Sequence, residues 1–128
     1  MAQDNLALKP TEAELTLLNI LWKLGPATVR QVHDTVSETQ KTGYTTVLKI
    51  LQIMHEKALV IRDESNRAHV YAAANSQTFT QSSLLKDLVS KAFGGSTSKL
   101  VMRALDNSTS KEEIADIRQI LNELEKQD

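Results

Sequence analysis

The chain has 128 residues, 41% of them hydrophobic and 24% charged, with four Gly, two Pro and no Cys. That length suits one domain, or a small domain with an appendage, and the composition is globular rather than disordered. The lack of cysteine excludes a disulfide framework, a thiolate metal site and a cysteine nucleophile, and fifteen Lys and Arg against sixteen Asp and Glu leave a net charge of −1.

Four segments begin with Ser or Thr and carry Glu or Gln three residues later: Thr11–Glu14, Thr28–Gln31, Thr78–Gln81 and Ser110–Glu113. Each can form a capping box, in which the two side chains satisfy backbone N–H groups at a helix start. The first helix is predicted from about Thr11 to Leu24, with Leu15, Leu18, Ile20, Leu21 and Trp22 as a broad buried face and Gly25-Pro26 as its end. The second runs from about Thr28 to Glu38, with Val29, Val32 and Val36 on one side, and the polar tract Ser37 to Gly43 reads as a loop. A third helix spans Tyr44 to about Lys57. Leu59-Val60-Ile61 and Ala68-His69-Val70-Tyr71 then flank a polar turn, the signature of a β-hairpin.

Beyond Ala74 the pattern is helical again. Leu84, Leu85, Leu88, Val89, Ala92 and Phe93 mark a long helix that Gly94-Gly95 breaks, and Leu100, Val101, Ala104 and Leu105 mark a shorter one. The last carries Ile114, Ile117, Leu121 and Leu124 in a heptad-like seam that Ile120 widens.

Three helices followed by a hairpin is the order of a winged helix-turn-helix. The expected fold is therefore mainly α: three helices plus a β-hairpin wing, followed by C-terminal dimerisation helices. Residues 1–74 suffice for a winged-helix DNA-binding domain. Residues 75–128 are too few to bury a core alone. They are expected to be a helical dimerisation region that covers Leu88, Leu100, Ile114, Ile117, Leu121 and Leu124 with a second copy of the chain.

On the third helix, Val47, Ile50, Leu51, Met54 and Ala58 fall within one arc of about 100°, a stripe suited to a core. Thr45, Lys49, Gln52 and Glu56 lie opposite, flanked by Thr46, Ile53 and Leu48. In a helix-turn-helix the N-terminal half of this helix enters the major groove. Thr can meet a base edge, a phosphate or a thymine methyl, Gln can pair with adenine, and Lys can reach guanine or phosphate. The expected DNA contacts are Lys41, Tyr44, Thr45, Thr46, Lys49, Gln52, Arg62 and Arg67. The same helix face also suits plain solvation, and Lys41 suits ordinary loop solvation. Arg62 is open between DNA and balancing Asp63 and Glu64 across an exposed hairpin, whereas Arg67 reads as a phosphate or minor-groove contact.

Charge argues the other way. Residues 1–74 hold eight basic and eight acidic side chains, so a nucleic-acid role must rest on local placement rather than on the field of the whole molecule. A winged-helix protein-interaction module without DNA binding is the alternative that neutrality favours. An enzyme has no support: His33, His55 and His69 lack helical ligand spacing, and there is no G-x-S-x-G elbow, P-loop or Rossmann glycine pattern. No cofactor and no metal are expected. No apolar run approaches the roughly 20 residues of a membrane span, and Met1 to Lys9 lacks the pattern of a secretory signal. The expected location is cytoplasmic, without membrane insertion.

Several motifs together resemble one family. Leu8-Lys9-Pro10-Thr11-Glu12-Ala13-Glu14-Leu15 with Ile20-Leu21-Trp22 is similar to the opening of the penicillinase and methicillin-resistance repressors, the BlaI/MecI/CopY type of winged-helix transcriptional regulator. Gly43-Tyr44-Thr45-Thr46-Val47 and His55-Glu56-Lys57-Ala58-Leu59-Val60 resemble that family's recognition helix and its exit into the wing, and Arg67-Ala68-His69-Val70-Tyr71 its return strand. Phe93-Gly94-Gly95-Ser96, Leu100-Val101 and the closing Ile/Leu helix also fit. The resemblance implies a homodimeric repressor on a palindromic operator of double-stranded DNA. It also implies release by a sensor-linked protease that cuts the dimerisation region in response to a β-lactam or cell-wall signal. The cysteine cluster of the copper-responsive branch has no counterpart here. The Asn-Phe pair cut in the resistance repressors is also absent, the nearest stretch being Leu100-Val101-Met102-Arg103-Ala104.

Overall fold

The structure is a computed structural model that describes residues 9–127. The stretch Met1 to Leu8, read above for a targeting signal and for the start of the first family-like motif, lies outside the described residues. Among the described residues the chain forms helix α1 (Glu12–Leu24), strand β1 (Ala27–Thr28), helices α2 (Val29–Val36) and α3 (Tyr44–Glu56), strands β2 (Val60–Asp63) and β3 (Val70–Ala73), and helices α4 (Gln77–Ala92), α5 (Thr97–Ala104) and α6 (Lys111–Glu125). It divides into two compact units, one ending at Leu84 and the other beginning at Leu85, so the division falls within the range of α4.

Local chemistry sets the helix starts. Thr11 and Glu14 form both arms of the expected capping box, and so do Thr28 and Gln31. Ser110 accepts from the Glu113 N–H at 3.0 Å. The Thr78–Gln81 expectation is corrected: α4 already begins at Gln77, and Ser76 Oγ accepts the Phe79 N–H at 3.0 Å, so Ser76 takes the capping role two residues earlier. Gly25, at φ 79°, ends α1, and its N–H closes on the Leu21 carbonyl at 2.8 Å.

The first unit is built around one core. Leu17, Leu18 and Leu21 of α1 meet Val29, Val32 and Val36 of α2 and Val47, Leu51 and Met54 of α3, with Leu59, Val60 and Tyr71 closing the sheet side. The core stripe read from α3 is present, except for its last member. Ala58 lies beyond the helix in the left-handed region, φ 63°, and is exposed. The chain turns there because the Leu59 N–H reaches back to the Met54 carbonyl at 2.9 Å, the wrap of a Schellman-type helix end.

The hairpin is wider than expected. β3 is the centre of a three-stranded antiparallel sheet in the order β1-β3-β2. Ala27 and Thr28 pair with Tyr71 and Val70, and Arg62 faces Tyr71 across the other ladder. The indole N–H of Trp22 donates to the Asn75 carbonyl at 2.9 Å and ties α1 to the chain leaving the sheet.

The second unit contrasts with the first. No described residue from Leu85 onward is buried. Leu85, Leu88, Val101, Met102, Ile114, Ile120, Leu121 and Leu124 are all exposed, although each lies on a helix with the expected apolar spacing.

Candidate nucleic-acid interface

Helix α3 has two unlike sides. Val47, Leu51 and Met54 are fully buried, while Tyr44, Thr45, Thr46, Lys49 and Gln52 are exposed. Burial of one side against α1 and α2 therefore fixes the rotation of the helix and presents the other five as a solvent-facing row. Leu48 is drawn partly into the core margin, and Ile53 stays 40% exposed.

The start of α3 is chemically open. Its N-cap, Gly43, supplies no side-chain hydrogen bond, and no acidic residue stands in its first turn. By contrast α1 carries Glu12 and Glu14 in its first turn, and α6 carries Glu112 and Glu113. The first N–H groups of α3 therefore lack the side-chain cap and acidic neighbours found at the starts of α1 and α6.

Sequence reasoning missed the support for this end. Arg30 of α2 places its guanidinium carbon 5.3 Å from the centroid of the Tyr44 ring. His33, three residues further along α2, meets the same ring edge-on, with centroids 6.0 Å apart and planes at 61°. His33 Nε2 lies 3.0 Å from the Thr42 carbonyl and Nδ1 3.1 Å from Asp34 Oδ1. Helix α2 therefore grips both the loop before α3 and the first residue of α3. The available signal was an Arg and a His at helical spacing, on the flank of the Val29, Val32 and Val36 stripe.

The two wing arginines separate. Arg62 faces Tyr71 across the ladder and is paired with Glu64, with Nε 2.8 Å and Nη2 2.7 Å from Glu64 Oε2. Tyr71 and Glu64 raise its pKa above the ordinary value, and the Arg62 guanidinium lowers that of Glu64. At the turn, Asp63 accepts from the Ser65 hydroxyl at 2.6 Å and from its N–H at 2.9 Å, and these bonds lower the Asp63 pKa. Arg67 is exposed and has no hydrogen bond or ion pair among the described residues. Lys41 is likewise exposed, in the loop before α3.

Three helices, a wing and an outward row on the third helix form a winged helix-turn-helix. The model of the penicillinase repressor family matches residues 10–123. The chain belongs to that family. It is 30% identical over 115 residues to the transcriptional regulator BlaI of Mycobacterium tuberculosis, across 89% of this chain and 83% of that protein. To the methicillin resistance regulatory protein MecI of Staphylococcus aureus it is 21% identical over 120 residues, 93% of this chain and 98% of the relative. A penicillinase repressor of Staphylococcus aureus shares 21% over 115 residues, 89% and 91% of the two chains.

The remaining sites of the family reading lie on the second unit. Leu88 is exposed on α4, and Ile114, Leu121 and Leu124 are exposed on α6, while Leu100 of α5 and Ile117 of α6 are half-buried. Among the described residues no helix is long and apolar enough to cross a membrane.

Proposed function

We propose that the chain is a transcriptional repressor that binds a palindromic DNA operator as a homodimer. The observation that carries this reading is the two-sided α3, with one side locked in the core and Tyr44, Thr45, Thr46, Lys49 and Gln52 turned outward beside an uncapped helix start. Family membership supports the repressor role. In this reading Thr46, Lys49 and Gln52 read base edges, while Thr45, Lys41 and Arg67 meet backbone or groove.

Burial supports pairing through residues 75–128. Eight large apolar side chains of the second unit are exposed in a single chain, which is more than a small soluble unit ordinarily leaves in water. A twofold partner covers the seam of Leu88, Leu100, Ile114, Ile117, Leu121 and Leu124. It also sets two copies of α3 about 34–36 Å apart, or a multiple of that, on one face of the duplex. The second half-site then binds at high effective concentration, which offsets the neutral net charge of each chain. Repression follows from blocking polymerase, and induction from loss of pairing. Cleavage within the C-terminal region by a sensor-linked protease, answering a β-lactam or cell-wall signal, is the route that the family points to.

The test combines two variants with sites selected from genomic DNA. Leu121→Asp is expected to sediment as a single subunit and to lose most operator affinity. Thr46→Ala with Lys49→Ala is expected to stay dimeric and lose selectivity. A dimeric Leu121→Asp variant with normal binding refutes the pairing seam, and unchanged selectivity in the second variant refutes α3 as the reader. The neutral charge favours an interaction module as the second reading. A wild type that shows no sequence-selective DNA binding would support it, whereas a true binder loses orders of magnitude in affinity between about 50 and 200 mM salt.

A further inference from the structure

We propose that Arg30 is a phosphate contact of the DNA interface, carried on α2 and held ready by the ring of Tyr44. This inference rests on the DNA-binding reading above. Arg30 stands in the first turn of α2 and is exposed. Its guanidinium carbon lies 5.3 Å from the Tyr44 ring centroid. A cation–π contact engages the ring and leaves the guanidinium N–H donors free.

Among the described residues no anion takes those donors. Asp34, four residues along α2, has the spacing of a helical ion pair with Arg30. Its carboxylate instead lies 3.1 Å from His33 Nδ1. Arg30 has no hydrogen bond or ion pair among the described residues. The fold therefore orders a long cationic side chain against an aromatic ring and leaves its hydrogen-bonding edge unmatched. A phosphodiester oxygen pair is the planar, bidentate acceptor that a guanidinium matches.

Placement supplies the second argument. In a helix-turn-helix the first helix of the turn unit crosses the DNA backbone while the second enters the groove. Arg30 is on that first helix, and the ring beneath it belongs to the first residue of the second. A phosphate on Arg30 is therefore registered directly against Thr45 and Thr46, the next two residues of α3. His33 holds the same ring from its edge, with Nε2 3.0 Å from the Thr42 carbonyl, so ring and loop are anchored together.

Binding is measured on a labelled random-sequence duplex and on a genomic fragment retained by the wild type, each over a range of salt. Arg30→Ala is expected to weaken both complexes by a similar factor, about tenfold per protomer bound. It should also lower the slope of log affinity against log salt by about 0.9 per protomer. Arg30→Lys keeps the charge and is expected to restore the slope. The Arg30 effect should persist with Tyr44→Phe and shrink with Tyr44→Leu. A wild-type slope in Arg30→Ala overturns the proposal while leaving the DNA reading intact. So does an equal loss in Ala and Lys variants with no change in slope, because Arg30 then acts only through packing. An undiminished Arg30 effect in Tyr44→Leu overturns the role of the ring. A wild type that binds neither duplex overturns the DNA reading itself, and Arg30 with it.

Discussion

Lys57→Met probes the joint between the start of α1 and the end of α3. Glu14 is only 4% exposed. Its Oε1 accepts from the Thr11 N–H at 2.9 Å and from Lys57 Nζ at 2.6 Å. Burial by itself raises the Glu14 pKa, but the Lys57 and Thr11 hydrogen bonds outweigh it, and the folded value lies below the ordinary 4.5. The ionised form is thus favoured by folding. Its contribution is fully present above about 4.5 and is lost as pH falls through the lower folded value. Removing one partner of a fully buried ion pair costs about 3–5 kcal/mol. Here the Lys57 side chain is 27% exposed and Glu14 keeps its Thr11 bonds, so we expect roughly 2 kcal/mol at neutral pH. With the lysine gone the folded Glu14 pKa rises, so the variant loses less stability than the wild type as pH falls. Urea unfolding followed by Trp22, the one tryptophan of the chain, reports on this unit through an indole bonded to Asn75. A loss of that size moves the midpoint by about 1 M. The difference should shrink in acid below the folded value, and Glu14→Gln with Lys57→Met should recover most of it, because the amide oxygen can still cap Thr11. Equal midpoints at neutral pH, or a gap unchanged by acid, would refute the reasoning.

Two further outcomes are expected. Ala58→Gly should stabilise the first unit by about 1 kcal/mol, since φ 63° costs a side-chain-bearing residue about that much and glycine almost nothing. A thermal melt reads this as a rise of about 4–8 °C, and a fall would show that the Ala58 methyl makes contacts worth more than the strain. Arg67→Ala should lower the salt slope of DNA binding by about 0.9 per protomer, whereas Arg62→Ala should leave it nearly unchanged, because Arg62 is already engaged by Glu64 and Tyr71. Titration of the same duplex across salt separates them, and a matching loss in Arg62→Ala would contradict the assignment.

What the sequence determined by itself was whatever depends on neighbours a few residues apart. Thr11 with Glu14 and Thr28 with Gln31 announced two helix starts because a capping box is closed within four residues. Val47, Leu51 and Met54 announced the buried side of α3 because a period of about 3.6 residues puts them on one face. The motifs of the penicillinase repressor family were legible in the same local way. Competition between near neighbours already blurred this, as Ser76 displacing Thr78 shows.

Tertiary structure decided everything that two distant segments settle jointly. Ala27 and Thr28 form a strand only because β3 lies beside them. Arg62 pairs with Glu64 two residues away, but only the sheet register sets it opposite Tyr71, a residue outside any local window. Arg30 and Tyr44 belong to different helices joined by a polar loop, and only the packing of α2 on α3 brings the cation to the ring. The apolar seam of α6 could be read from its spacing, but only the folded chain shows that it stays exposed, because burial is a property of what surrounds a side chain and not of the side chain itself.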